Sequence, residues 1–249
     1  MKTLTKDNII ERVRLILNEY QGNESGFLYD GDDDELDRLI AESTLNALEF
    51  VSANADASLL EGDAVITASI DEGGHRELAA KMEGVRKDSE SSLHIKFSYV
   101  GDETDEDFPC VYVVAKVALP DFYRLVKASS SCWSMALSEA GNDLSEEYAK
   151  QKDKLTMGTP DRPAAFVIKE GSNYTLEMYS VKTEATIRIE YIKQPKTGED
   201  GSVSISQNAE AGFLYYVAYL VLLTLQDAHA VNMLNQALPQ LGMQTEGGA

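Results

Sequence analysis

Apolar side chains recur at helical spacing near the start of the chain. Between residues 5 and 20 they fall three or four positions apart, as at Ile9, Val13 and Ile16, with charged residues between them. This spacing places them on one stripe of an α-helix. A second stripe runs over 33–53, behind an Asp-rich first turn that complements the helix dipole. The pattern predicts an N-terminal pair of antiparallel helices.

The periodicity becomes strand-like in the middle of the chain. The segment Leu93–Tyr99 alternates apolar and polar residues, which is typical of a half-buried strand. The acidic segment Gly101–Asp107 separates it from the β-prone run Val111–Leu119, so we expect the two runs to form a hairpin. A short helix is predicted at Arg76–Glu83. Further strands are predicted at 165–169, 175–181 and 186–193.

The most apolar run is Phe213–Leu223, within a long helix predicted over 209–237. Its eleven residues are about half of the ~20 that a membrane span requires, so we predict no span. The run is apolar around its whole circumference, whereas the surface helix of a monomer shows only an apolar stripe. Two interpretations stay open: the core helix of a monomer, or a helix with one flank against a neighbouring copy.

The order of the elements is helices, then strands, then a helix, which predicts an α+β fold. We expect a helical bundle with an inserted antiparallel β region. The helical core would comprise 1–60 and 205–238, and the β-rich insertion 61–204. The residues 239–249 include three glycines and little apolar surface, so we expect a flexible C-terminal tail.

The composition of the chain excludes some classes of function. The 249 residues include 22 Lys and Arg against 42 Asp and Glu, a formal net charge of −20. This excess of carboxylates excludes a module that grips nucleic-acid phosphates. An acidic lumen in a ring of copies would instead let DNA pass without binding it. The first residues lack an apolar signal segment, and Cys110 and Cys132 cannot form a disulfide framework. We expect a soluble protein.

No group of residues predicts catalysis. The three histidines are far apart, and neither a phosphate-binding loop nor a nucleophile elbow occurs. The segment Asp30–Asp34 lacks the glycine and glutamate that an EF-hand loop requires. A nucleophile within Ser129–Cys132 would have no base nearby in the sequence. We predict no enzyme, no cofactor and no metal; the less favoured alternative is a metal-dependent hydrolase using Asp102, Glu103 and Asp105.

Tyrosines in the apolar run favour contact between copies of the protein, since tyrosine is enriched at interfaces. Unpaired like charges oppose association, so the acidic surface of a ring would face solvent or the lumen. The candidate self-association residues are Phe213, Tyr215, Tyr216, Tyr219, Leu220 and Leu223.

The order of segments resembles the head–tail adaptor (connector, or ring) proteins of tailed bacteriophages, particularly podovirus-like ones. The similar segments span most of the chain: ILNEY at Ile16–Tyr20, LDRLIAESTLNAL at Leu36–Leu48, LPDFYRL at Leu119–Leu125, then Trp133, YAKQ at Tyr148–Gln151, MGTP at Met157–Pro160, Arg162-Pro163, and the helix Phe213–Leu238 with its polar tail. Residues 60–108 are longer than the core pattern of that family requires.

The resemblance implies a structural virion protein of the neck, assembled in the host cytoplasm. Copies would form a ring, typically twelve-fold, that joins the portal protein to the tail or to a second ring protein. The ring would continue the DNA channel without binding DNA specifically. The alternatives are another neck or tail protein, such as a stopper or tail-completion subunit, or a generic binding module.

Two segments acquire expected roles from this resemblance. Pro120 fixes φ and cannot donate to a β ladder, so the motif Leu119, Pro120, Asp121 and Phe122 would end a strand and turn the chain. The tail around Leu238, Pro239 and Leu241 would become ordered on docking into a groove of the portal.

Overall fold

The computed structural model describes residues 1–21, 33–69, 78–84, 93–99, 112–151, 156–182 and 185–244. The chain divides into a helical unit, formed by Met1–Glu61 with Pro195–Ala249, and a β unit, Gly62–Gln194. The long helices and the large antiparallel sheet come from different parts of the chain, so the fold is α+β, as the sequence pattern predicts.

The elements are numbered in chain order. The α-helices are α1 (Lys6–Gln21), α2 (Asp33–Asn54), α3 (Glu146–Lys150), α4 (Glu210–Thr224) and α5 (Ala230–Gln240). The strands are β1 (Lys2–Leu4), β2 (Ala64–Ser69), β3 (Leu78–Gly84), β4 (Leu93–Tyr99), β5 (Tyr112–Ala118), β6 (Phe122–Ser130), β7 (Gly141–Asn142), β8 (Ala165–Glu170), β9 (Asn173–Lys182), β10 (Thr186–Lys193) and β11 (Val203–Ile205).

The helical unit has α4 at its centre, in contact with α1, α2 and α5. The predicted helix pair is present as α1 and α2, and their apolar stripes are buried, as at Val13 and Ile40. The strand β11 pairs antiparallel with β1 in this unit. Residues 195–204, which the sequence pattern assigns to the β-rich insertion, belong instead to the helical unit.

The prediction of one long C-terminal helix was wrong. The helix α4 ends at Thr224, and α5 begins at Ala230. Between them Gln226 has a φ of +56°, in the left-handed region, and the backbone N–H of Asp227 donates to Leu222 O at 2.9 Å. Such a left-handed residue ends a helix, so the chain reverses and α5 packs on α4.

The flexible tail expected from Pro239 is also wrong for its first residues. Pro239 lies in the last turn of α5, and Leu241 is 0% exposed. The Leu241 carbonyl accepts a hydrogen bond from the backbone N–H of Asp56 at 2.9 Å. Burial of an apolar side chain over α4 therefore fixes a segment whose composition alone suggested a tail.

The strands of the β unit pair in the order β6-β10-β2-β3-β4-β5-β9-β8-β7, antiparallel except for β7 with β8. The predicted hairpin is confirmed, since β4 pairs antiparallel with β5. The helix predicted at Arg76–Glu83 was wrong, because β3 covers most of this segment and pairs with β2 and β4. Pairing on both sides outweighs the helical propensity of the segment.

The motif at 119–122 connects β5 to β6. Leu119 is buried, Pro120 and Asp121 form the turn, and Phe122 begins β6. Asp121 has a φ of +54°, and its carbonyl accepts a hydrogen bond from the backbone N–H of Gln194 at 2.8 Å.

Among the described residues, no helix is both long and apolar enough to cross a membrane.

Candidate self-association surface

The helix α4 buries one broad face in the helical unit. Its first turn carries Glu210, which complements the helix dipole and receives hydrogen bonds from Lys2 Nζ and Arg12 Nη1. The buried side chains are mainly large and apolar, and they pack among α1, α2 and α5. They are Phe213, Leu214, Val217, Ala218, Val221 and Leu222.

A second face of α4 is incompletely covered by the residues that the structure describes. Leu223 is 52% exposed, and the neighbouring positions on the same face are half-buried. These residues are spaced so that they share one side of the helix. We call them the α4 flank: Tyr215, Tyr216, Tyr219, Leu220 and Leu223.

Aromatic packing fixes part of this flank. The ring of Tyr216 stacks on Phe50 of α2, with centroids 4.0 Å apart and planes 6° apart. The ring of Tyr219 follows at 5.3 Å from Tyr216. Burial, and then the nearby Tyr219, raise the pKa of Tyr216 above its ordinary value. Within the described residues, no hydrogen bond is made by the hydroxyls of Tyr215, Tyr216 and Tyr219.

The flank lies in the least charged part of an acidic unit. The sequence of the helical unit holds nineteen Asp and Glu against six Lys and Arg. Over residues 211–244, by contrast, Asp227 is the single Asp, Glu, Lys or Arg. A copy of the same acidic protein could therefore approach α4 and α5 without bringing its carboxylates close to other carboxylates.

The structure separates the six candidate self-association residues. Phe213 is 0% exposed, so it belongs to the core and cannot contact a partner. The other five form the α4 flank. The sequence could not reveal the aromatic contact with Phe50, because that contact depends on how α2 packs against α4.

The tail residues proposed for portal docking occupy folded positions. Leu238 is half-buried in α5, Pro239 is exposed on the same helix, and Leu241 is buried. Leu241 therefore cannot serve as a free docking residue while this unit is folded.

A buried polar network in the β unit was missed from the sequence. The Glu177 carboxylate lies 2.6 Å from Lys116 Nζ and accepts hydrogen bonds from the hydroxyls of Tyr179 at 2.8 Å and Tyr148 at 3.2 Å. In a simple strand alternation Glu177 would face solvent, but the neighbouring α3 carries Tyr148 over it.

The groups of this network have shifted pKa values. Burial would raise the pKa of Glu177, but the hydrogen bonds from Lys116 and Tyr179 outweigh it, so the pKa lies below the ordinary value. Burial and Glu177 raise the pKa of Tyr179 far above its ordinary value. The carboxylate is held ionised and both phenols are held protonated, so the network fastens α3 to the sheet.

The other candidate sites from the sequence gain little support from the structure. No cluster of potential metal ligands occurs among the described residues. Asp102, Glu103 and Asp105, like Cys110 and Asp30–Asp32, lie outside the described residues. Cys132 Sγ lies 3.2 Å from Ser130 Oγ and contacts the carbonyl of Ser180.

A shallow groove of about 390 Å³ occurs in the helical unit. It is lined by residues of α1 and α2, among them Lys6 and Thr44, and by the loop 197–201, which includes Glu199 and Asp200. The Thr44 hydroxyl already donates to the carbonyl of Ile40 at 2.8 Å.

No protein-family profile matches the chain, and no curated protein sequence matches it.

Proposed function

We propose that this protein is a structural subunit of a bacteriophage neck, a head–tail adaptor that assembles into a ring between the portal and the tail. The observation that carries the proposal is the α4 flank. It is an aromatic and aliphatic surface, partly exposed, on the least charged part of a strongly acidic chain.

Three features agree with such a role. Tyrosine, which has an apolar ring and a polar hydroxyl, is enriched at protein interfaces. The acidic excess elsewhere would keep the walls of a channel from retaining DNA. The order of segments along the chain resembles adaptor proteins, although residues 239–241 are folded rather than a loose docking tail.

Matched substitutions test the role of the flank. Leu223 and Leu15 are both helical leucines of the helical unit and are 52% and 54% exposed. We expect Leu223→Asp to weaken self-association about tenfold or more, because an unpaired carboxylate would be buried in an apolar contact. The control Leu15→Asp should leave self-association unchanged.

Self-association is measured by sedimentation velocity over a range of concentrations. Assembly on the portal is examined by electron microscopy of the protein mixed with portal rings of the same virus. Ordered copies on the portal, lost in Leu223→Asp and kept in Leu15→Asp, are the expected result. Wild-type protein that stays monomeric both in solution and with the portal would overturn the proposal. A gene located within a metabolic operon, away from capsid and portal genes, would also count against it.

A further inference from the structure

A small apolar cluster lies on the face of the sheet opposite the main core of the β unit. Strand alternation separates the two, because Ala115 and Met178 belong to the main core, whereas the small cluster contains Val114 and Tyr179. Phe166 of β8 is its third buried member. Val114 and Phe166 are 3% exposed and Tyr179 is 7% exposed, so another part of the chain must cover them.

The segment 141–151, which comprises β7 and α3, lies over this cluster. The ring of Tyr148 meets the ring of Phe166 edge-on, with centroids 5.2 Å apart, and its hydroxyl donates to Glu177 at 3.2 Å. Gly141 approaches the same ring, since a Cβ atom at this position would lie 2.7 Å from Cδ1 of Phe166. We call residues 141–151 the α3 strap.

Most of the α3 strap is exposed. Among residues 141–150, Ser145 and Tyr148 are the two that are not exposed, and Leu144 is 91% exposed. The strand β7 pairs with β8 through two residues. The strap is therefore fastened to the sheet mainly where Tyr148 lies.

The helix of the strap is too short to persist by itself. It has five residues, and helices of this length are not stable in water without tertiary contacts. Tyr148 at its centre supplies such a contact, and so does Gln151 at its end, whose side-chain oxygen accepts a hydrogen bond from the backbone N–H of Gly158 at 2.7 Å. By contrast, β9 beneath the strap is paired on both sides, with β5 and with β8.

We propose that the α3 strap opens and closes as a unit while the sheet beneath it stays folded, with Tyr148 as its latch. Elements that have few buried apolar contacts open locally at a free-energy cost well below that of global unfolding. Opening uncovers the rings of Phe166 and Tyr179 beside the Glu177 carboxylate, an aromatic surface that is hidden in the closed structure. This opening does not depend on the proposed function.

Hydrogen exchange of the full chain, followed by mass spectrometry, tests this opening under native conditions in which exchange reports the opening equilibrium. Peptides that cover the strap report on the backbone N–H groups of Tyr148, Ala149 and Gln151, which are hydrogen-bonded within it. Peptides from β9 report on the sheet.

Three substitutions separate the strap from the sheet. Tyr148→Ala removes the latch. Leu144→Ala is the matched control, because it removes a large side chain of the same strap that is exposed. Ile189→Val weakens the main core, in which Ile189 of β10 is 0% exposed.

In the wild type, strap peptides should exchange faster than β9 peptides. Tyr148→Ala should accelerate exchange of the strap about tenfold or more, because an edge-to-face aromatic contact and a hydrogen bond are lost together. Tyr148→Phe keeps the ring and should have a smaller effect, and Leu144→Ala should have none. Ile189→Val should accelerate the β9 peptides alone, since the main core is intact whether the strap is closed or open.

Equal acceleration of strap and β9 peptides in Ile189→Val would overturn the proposal, because the strap would then open only when the whole unit unfolds. Strap N–H groups without protection in the wild type would overturn it as well, since the strap would not be closed. Exchange that neither substitution of Tyr148 changes would show that Tyr148 is not the latch. If Tyr148→Ala does not fold, the wild type, Tyr148→Phe and Ile189→Val decide the outcome.

Discussion

The ring of Phe50 on α2 lies parallel to the ring of Tyr216 on α4, at a centroid distance of 4.0 Å. The two residues are far apart in sequence, so the stack joins the N-terminal and C-terminal parts of the helical unit. It also holds Tyr216, and through it Tyr219, in place on the α4 flank. Stacked aromatic pairs contribute about 0.5–1.5 kcal/mol beyond the area that they bury.

Replacement of Phe50 by alanine should therefore lower the free energy of unfolding by about 1–3 kcal/mol, as measured by urea denaturation. The side chain is only half-buried, which keeps the loss below that of a core phenylalanine. Phe50→Leu should lose less, because it keeps most of the apolar contact but not the stack. A Phe50→Leu protein as stable as the wild type would show that stacking adds nothing here.

Glu210 holds β1 and α1 against the start of α4. Its carboxylate lies 2.8 Å from Lys2 Nζ and also pairs with Arg12. Burial would raise the pKa of Glu210, but the hydrogen bonds from Lys2 and Arg12 outweigh it and hold the pKa below the ordinary value of 4.5. We expect Glu210→Gln to lower the free energy of unfolding by about 1–3 kcal/mol at neutral pH.

The lowered pKa also fixes the direction of the pH dependence. The stabilisation from Glu210 is fully present above the unfolded-state pKa and is lost as the pH falls through the folded-state value. Glu210→Gln should therefore differ most from the wild type at neutral pH and converge with it in acid, below about pH 4.5. The exposed Glu11→Gln is the control and should change stability by no more than about 0.5 kcal/mol. A constant difference between Glu210→Gln and wild type at every pH would contradict the assignment.

The parts of the fold that sequence predicts are those in which one local pattern decides the outcome. The stripes of α1 and α2 and the alternation of β4 each specify an element by themselves. β6 was missed because register shifts opposite β10 break its alternation, so that Leu125 and Val126 are both buried. The reversal after α4 was missed because it depends on the left-handed Gln226, a residue with no glycine-like signature.

The candidate surface was predictable only in part. The apolar run with its tyrosines indicated the helix that carries the partly exposed α4 flank, but the run alone could not tell buried Phe213 from half-buried Tyr216. That difference depends on which sides of α4 are covered by α1, α2 and α5. The sequence pattern also does not predict α5 as a separate helix, because it extends one helix to residue 237 and places a tail after it.

Ser180 combines strain with a buried hydrogen bond. Its φ is +59°, it is fully buried in β9, and its hydroxyl donates to the carbonyl of Gly158. Ser180→Ala removes the hydrogen bond and keeps the left-handed strain, so we expect a loss of about 1–3 kcal/mol in the free energy of unfolding. Ser180→Gly removes both and should be more stable than Ser180→Ala by about 1 kcal/mol. If the alanine variant were the more stable of the two, the left-handed backbone would not be a source of strain.

Gly212 lets the end of α5 approach α4. A Cβ atom at this position would lie 2.6 Å from Cγ and Cδ2 of Leu241 and 3.3 Å from the carbonyl oxygen of Ala237. In an open helix, glycine to alanine is stabilising by about 1 kcal/mol, but here the steric conflict with a buried leucine should dominate. We expect Gly212→Ala to lower the free energy of unfolding by about 1–3 kcal/mol.

The test of this contact is a double-mutant cycle. Leu241→Ala alone should be destabilising, because it leaves a cavity. In that background the added methyl group of Gly212→Ala meets no leucine side chain, so the second substitution should be neutral or stabilising, and the two effects should not add. Strict additivity in urea denaturation would mean that Gly212 and Leu241 are not in contact. It would also remove one line of evidence that the end of α5 packs against the start of α4.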